Sequence, residues 1–312
     1  MLPIFESILP IFLLIVIGNL LGRVPKLQRP VWESLELFSY WVLYPTLLFT
    51  TILHADMSQL SLGGVLAALF AGVAIMGAIA LALWPLLRAT GISNGPEYTS
   101  IFQTTMRWNG FVALAVAQKL YPPSASAVVA LAMAAIIIPL NLSSVAVLVR
   151  LGTGEPNWQR TFRAMATNPL IISVLIAILF RFIPGGLYGP VDEAIRLVGS
   201  AAIGMGLLAI GAGLRPADAL KPRAILWLPL VLKLLFFPAL LVSLGWAFGV
   251  RGDEIVYLAL CGSVPTAMNG YILARQLGGD AEFYAAEATL QTAFAFLTMP
   301  IVLSLAAQLA SG

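Results

Sequence analysis

Two stretches of this 312-residue chain place polar groups where the surrounding sequence is apolar. "TTMRWNGFVAL", residues 104–114, carries Arg107, Asn109 and Gly110 inside one apolar run. "VPTAMNGYILA", residues 264–274, carries Pro265, Thr266, Asn269 and Gly270 inside another. Neither set holds a nucleophile beside a base. The single histidine, His54, and the single cysteine, Cys261, supply neither a metal-ligand cluster nor an intramolecular disulfide. The chemistry open to these residues is non-covalent. A guanidinium can hold a carboxylate through two parallel hydrogen bonds, and asparagine amides can orient what it holds, so neither a catalytic residue nor a resident cofactor or metal is expected.

Further polar residues could complete such a site. Gln103 stands four residues before Arg107, on the same face if the segment is helical. Ser263 and Thr266 approach the second Asn-Gly pair with Pro265 between them, which removes a backbone donor and helps hold a helix open. Gln291 and Thr292 bring an amide and a hydroxyl from the next apolar run, where either could instead bond a neighbouring helix. Trp108 and Tyr271 flank the asparagines and can stack on a ligand or simply pack, while Tyr44, Pro45 and Thr46 can face the site from an earlier segment. Glu287 is either a proton-coupling carboxylate or an interfacial one stabilised by the start of its helix. Lys233 and Arg196 read as structural charges nearer segment ends.

The elements that must position these residues follow from composition. With 60% hydrophobic and 10% charged residues and a mean hydropathy of +0.95, the chain is a polytopic, all-α membrane protein. Its pI near 9.1 comes from a small excess of Lys and Arg and serves orientation rather than nucleic-acid binding. Apolar segments long enough to cross about 30 Å of hydrocarbon fall near 3–22, 31–53, 62–87, 97–120, 124–149, 168–183, 190–214, 224–249, 253–277 and 282–309. These are spans 1 to 10. The first has no basic n-region or small-residue cleavage site, which makes it a span and not a signal peptide.

Loops after spans 1, 3, 5, 7 and 9 hold Arg23, Lys26 and Arg29; Arg88; Arg150, Arg160 and Arg163; Arg215, Lys221 and Arg223; and Arg275. The opposite side holds Lys119, Arg181 and Arg251. The positive-inside rule makes the first set cytoplasmic and puts both termini on the extracytoplasmic side; the expected location is a plasma membrane of the bacterial inner-membrane type.

Sliding the second half over the first by 160 residues places Asn109 on Asn269 and Gly110 on Gly270, and aligns Val31, Glu33 and Leu37 with Val191, Glu193 and Leu197. Residues 1–149 and 168–312 then read as two five-helix repeats joined by a cytoplasmic linker, 150–167. An odd number of spans per repeat makes the two halves run in opposite directions through the bilayer, an architecture of secondary transporters. Asn-Gly favours φ > 0 and helix termination, and non-helical backbone at membrane depth survives only inside protein or beside a wet cavity. Spans 4 and 9 are therefore expected to be broken and to present free half-helix ends to a ligand. Arg107 maps onto neutral Ala267, which biases the site towards an anion.

These residues also carry a family likeness. "YWVLYPTLLF" in span 2, "RWNGF" in span 4, "NPLI" opening span 6 and "VPTAMNGYILARQLGGDAEFYAAEATLQTAFAFLTMPIVL" through spans 9 and 10 resemble the auxin efflux carrier family, which takes in plant PIN-like carriers and bacterial malonate-carrier-like proteins. The resemblance implies a fold related to that of bile acid:sodium symporters, with scaffold helices 1, 2, 6 and 7 and transport helices 3–5 and 8–10. It further implies spans 4 and 9 crossing at the substrate, an elevator-like movement of small organic anions such as carboxylates, and a possible homodimer through the scaffold. The plant carriers' Asn-Pro-Asn crossover is here Trp108, Asn109, Gly110, a departure that puts the aromatic auxin substrate in doubt.

Other classes remain open at this point. A cation/proton antiporter would be expected to keep carboxylates at the breaks, where this chain has Asn and Arg. A sodium- or proton-coupled symporter, a channel and a non-transporting receptor are the alternatives to a carrier, with H+ or Na+ as the possible coupling ion.

Overall fold

A computed structural model of the chain describes residues 2–27, 29–56, 60–153, 159, 162–163, 166–183, 186–219 and 223–311. Arg160, Lys221 and much of the 150–167 linker lie outside the described residues. Among the described residues the chain is helical throughout, with no strand.

The first half contains α1 (Leu2–Leu21), then α2 (Arg29–Phe38) running through a π-helical turn at Ser39–Leu43 into α3 (Tyr44–His54), then α4 (Leu62–Ala89). It continues with α5 (Gly95–Met106), α6 (Gly110–Leu120) and α7 (Pro123–Leu151). The second half contains α8 (Pro169–Phe180) and α9 (Gly189–Gly213), then a composite of a 3-10 turn at Ala224–Leu226, α10 (Trp227–Val231), a π-helical turn at Leu232–Phe236 and α11 (Phe237–Ala247). α12 (Asp253–Ser263), α13 (Asn269–Gln276) and α14 (Ala281–Ser311) complete it.

Local chemistry sets several of these ends. Asn94 caps α5 by accepting the Glu97 N–H at 2.9 Å, and Asn168 caps α8 by accepting from Leu170 and Ile171 at 2.9 and 3.4 Å, ahead of Pro169 at the first helical position.

Among the described residues seven helices are long and apolar enough to cross a membrane: Leu2–Leu21, Pro30–His54, Leu62–Ala89, Pro123–Leu151, Gly189–Gly213, Ala224–Ala247 and Ala281–Ala310. The other three apolar segments differ in kind. One is the short helix Pro169–Phe180; the other two are interrupted, α5 from α6 and α12 from α13.

Burial separates the two kinds. Every residue of α5 from Glu97 to Met106 is buried, as is every residue of α12 from Glu254 to Ser263. The long helices bury one face and leave another apolar face open, as Leu13, Val16, Ile17 and Leu20 do on α1 and Leu297, Ile301 and Leu305 on α14. A helix covered on all sides sits inside the bundle, and one with a bare apolar face borders lipid. The half-helices α5, α6 and α12 thus form the centre of the molecule, whereas α13 buries only Gly270 and Ala274.

Around that centre, α1 lies against α9, and α3 against α8 and α9. The α1–α9 approach is close because both sides are glycine: a Cβ on Gly18 would stand 2.1 Å from the Leu208 carbonyl oxygen, and one on Gly211 1.9 Å from that of Ile15. Asn19 Nδ2 donates to the carbonyls of Gly211 and Leu214 at 3.1 and 3.0 Å, satisfying acceptors at the end of α9.

Two charges are placed differently. Arg196 is exposed and pairs with Asp192 and Glu193 at 3.3 and 3.2 Å. Lys233, expected nearer a segment end, instead lies in the π-helical turn midway along 224–247, fully buried. Its Nζ has no hydrogen-bond partner and sits 4.5 Å above the Phe237 ring. Hydropathy blurs such a residue into its neighbours, because one lysine barely moves the mean of a strongly apolar window.

Candidate functional site

The first interruption begins where Arg107 leaves the helix. Its N–H still reaches the Gln103 carbonyl at 2.8 Å, but its own backbone is extended at φ −69° and ψ 150°. Helix resumes at Gly110, with Asn109 as the cap: Oδ1 accepts the Val112 N–H at 3.3 Å. The Asn109 N–H points across the structure and donates to the Pro265 carbonyl at 2.8 Å. One break therefore satisfies a backbone group of the other.

The second interruption is built differently. α12 ends at Ser263, Val264 is extended at φ −77° and ψ 151°, and α13 starts at Asn269 itself. Equivalence with Asn109 would make Asn269 the cap of its half-helix. It is not, because Met268 before it is already helical at φ −65° and ψ −22°, leaving Asn269 inside the first turn. The Asn269 side chain turns to Arg107 instead, and its Oδ1 accepts from Nε at 3.3 Å and Nη2 at 3.2 Å.

Glycine also plays a part other than the expected one. Among the described residues positive φ occurs at Gly91, Gly186, Gly249, Gly252 and Gly278, so neither Gly110 nor Gly270 uses the left-handed region. What both lack is room. A Cβ on Gly110 would lie 2.7 Å from Met133 Cγ, and one on Gly270 2.3 Å from the Tyr284 hydroxyl oxygen.

Gln291 on α14 fastens the two breaks from behind. Its Oε1 accepts the Thr266 N–H at 2.9 Å, and its Nε2 donates to the Thr104 carbonyl at 3.1 Å and to Glu287 Oε1 at 2.8 Å. The Tyr284 hydroxyl pairs with Thr266 Oγ1 at 3.1 Å and donates to the Ala267 carbonyl. Glu287, for which an interfacial place was one expectation, is fully buried, and its Oε2 has no partner. The reason is the depth of packing of α14, whose residues from Phe283 to Ala288 are all buried.

Between the breaks, α7 and α8 lies a cavity of about 80 Å³. Arg107, Asn109, Asn269 and Asn141 are its polar lining; Phe111, Met133, Ile137, Leu140 and Leu170 are its apolar lining. Arg107 Nη1 is buried without a hydrogen-bond partner, and among the described residues no carboxylate pairs with this guanidinium. A buried cation in this condition is costly and calls for an anion.

The remaining sequence candidates divide. Gly110 lines the cavity; Gln103, Ser263, Pro265, Thr266, Gly270, Tyr271 and Gln291 do not. Gln103 is fully buried and neither atom of its amide has a partner. It does not share a helical face with Arg107, since Arg107 has already left the helix. Ser263 turns back to the Leu260 carbonyl at 3.2 Å, and Thr292 to that of Ala288 at 2.7 Å. Tyr271 is held away by Arg215, which donates to its hydroxyl at 2.9 Å and stacks over its ring at 4.7 Å. Trp108 lines the cavity, and Tyr44 stacks on Phe111 with ring centroids 3.5 Å apart. Asn141 is the residue that sequence reasoning missed. Its signal was present, a lone amide two residues after Pro139 in the apolar α7.

A larger cavity, about 420 Å³, opens between the ends of α3, α8 and α9. His54 Nε2 there meets Asp192 Oδ2 at 3.2 Å, and Arg181 Nη1 caps the Ile52 carbonyl at 2.8 Å. Its charged groups engage one another and a helix end, and no interrupted helix reaches it, so the smaller cavity is the better candidate. No group of three or more potential metal ligands occurs among the described residues.

Compared with known proteins, residues 158–303 match the family model described as membrane transport protein, the auxin efflux carrier and malonate-carrier-like group. No curated protein matches the chain. The match upholds the resemblance over most of the second half, and with the apolar helices it supports a multi-pass membrane protein of the transporter class.

Proposed function

We propose that this chain, matched over residues 158–303 by a family of membrane transporters, is a secondary carrier of small organic anions such as carboxylates. One observation carries the reading: Arg107 is buried at the first interruption and lines the cavity, its Nη1 has no hydrogen-bond partner, and no carboxylate pairs with it among the described residues. A bound carboxylate would supply the missing charge and accept two hydrogen bonds in one plane.

In this reading the seven long helices, the short α8 and the two interrupted pairs are ten spans in two inverted repeats, and the interrupted spans cross at the substrate. The bond from Asn109 to Pro265 supports a meeting of the two breaks at one place. Helices α1, α2–α3, α8 and α9 serve as scaffold, and the rest move past them in an elevator-like step. The ring contacts of Phe296 with Phe5 and Phe12, and of Tyr44 with Phe111, lie on that boundary.

Glu287 supports a second element of the reading, coupling to H+ or Na+. Its carboxylate is buried one hydrogen bond from Gln291, which itself touches both breaks, so a charge gained or lost there is felt at the site.

Counterflow in proteoliposomes tests the carrier. Vesicles preloaded with an unlabelled anion should take up the labelled one transiently against its gradient, and Arg107→Gln should abolish this while leaving expression and monodispersity unchanged. Uptake that only equilibrates, with no overshoot, would identify a channel; undiminished counterflow by Arg107→Gln would move the site elsewhere.

A further inference from the structure

The chemistry of the cavity wall is more selective than the presence of one arginine. Resting on the reading of Arg107 as countercharge, the geometry points to a short aliphatic monocarboxylate, in the acetate-to-butyrate range, as the cargo, to the exclusion of dicarboxylates, amino acids and indole acids.

Charge comes first. Among the described residues Arg107 is the only charged one lining the cavity, and the other polar groups are the neutral amides Asn109, Asn141 and Asn269. One carboxylate is neutralised. The second carboxylate of malonate or succinate would be left against Met133, Ile137, Leu140 or Leu170, with no cation among the described residues to meet it. The ammonium of an amino acid fails for the opposite reason, because no carboxylate among the described residues lines the wall.

Volume comes second. About 80 Å³ holds between about three and seven water-sized groups, taking roughly 30 Å³ per liquid water at one limit and a single probe sphere of about 10–15 Å³ at the other. A carboxylate with one to three further carbons fits that range, whereas an indole acid exceeds it and would have to protrude through the open side.

The arrangement of the wall supplies orientation. Arg107 and Asn269 occupy the end where the breaks meet, while Ile137 and Leu140 lie one turn apart on α7 with Asn141 beside them. A carboxylate at Arg107 places its alkyl tail along α7, and a 2-hydroxyl, as in lactate, has the Asn141 amide available.

The test is binding to the purified full-length chain in detergent by titration calorimetry, with butyrate, lactate, malonate, succinate and indole-3-acetate as probes, alongside butyrate counterflow. Butyrate or lactate should bind at least tenfold more tightly than malonate, succinate or indole-3-acetate, and Arg107→Gln should abolish that binding. Asn141→Lys adds a second cation to the apolar end and should gain malonate binding while weakening butyrate, a gain that misfolding cannot mimic. Arg107-dependent preference for malonate or succinate in the wild type would overturn the monocarboxylate assignment and leave the carrier reading intact. So would a folded Asn141→Lys that still excludes malonate. Absence of binding and of counterflow with every probe would remove the carrier reading, and the assignment with it.

Discussion

Arg107 lays its guanidinium against a single oxygen: Nε and Nη2 stand 3.3 and 3.2 Å from Asn269 Oδ1, while Nη1 has no partner. The contact joins the C-terminal end of α5 to the first turn of α13, two points far apart in sequence that the interruptions bring face to face. Part of the cation's hydrogen-bonding capacity is thereby used to hold it still at the cavity, and Nη1 is left without a partner.

That relationship predicts coupled energetics. Asn269→Ala leaves two N–H groups of a buried guanidinium without their acceptor, a loss of about 1–3 kcal/mol, whereas in an Arg107→Gln background the same change removes much less. The double mutant should therefore fall short of the sum of the singles by on the order of 0.5 kcal/mol or more. Unfolding midpoints in detergent without ligand, for the four proteins of the cycle, measure this. Strict additivity would show that the two side chains touch without stabilising one another.

The glycines of the two breaks should respond unequally to a methyl group. At Gly110 the added Cβ meets the side chain of Met133, which has three rotatable bonds and can move aside. At Gly270 it meets Tyr284 Oη at 2.3 Å and Cζ at 2.4 Å, on a ring fixed by its hydrogen bonds to Thr266 and Ala267. Gly270→Ala should cost about 1–3 kcal/mol as an overpacked core does, and Gly110→Ala distinctly less, read as the fall in melting temperature of each. A larger fall for Gly110→Ala would contradict the packing argument.

Orientation has a direct readout because the native thiol is silent. Cys261 is buried, so a membrane-impermeant maleimide added to intact cells reports only introduced cysteines. Asp56→Cys, in the loop after α3, should label; Thr153→Cys, just past α7 on the side rich in basic residues, should not until the cells are opened. The reverse pattern would invert the topology drawn from the positive-inside rule.

What the sequence could show of this molecule was whatever a run of residues reveals by itself. Helical class and the ends of the apolar segments follow from hydropathy, and the interruptions at Arg107–Asn109 and Val264–Met268 from Asn-Gly pairs in apolar runs. What a side chain faces was legible only in part. Asn109 and Asn269 look equivalent in the sequence, yet one caps a helix and the other receives an arginine, because the helix restarts at different places relative to each asparagine. Tyr271 could be placed beside the break but not turned towards Arg215, since the partner arrives from a connection 56 residues away. Asn141 and Lys233 were diluted by the apolar residues around them. The role of both glycines depends on Met133 and Tyr284, which belong to other helices.

The bond from Asn109 to Pro265 also imposes an order on biogenesis. Chains are made from the N-terminus, so α5 and α6 exist before Pro265 has been polymerised, and until then the Asn109 N–H lacks the acceptor that it has in the folded protein. The same holds for the Thr104 carbonyl, whose donor, Gln291, comes later still. The first half is therefore made carrying an unfinished interruption, with two polar backbone groups whose partners do not yet exist. The second half completes it on arrival, and a ribosome that stalls between the two leaves a nascent protein whose defect is written into its backbone.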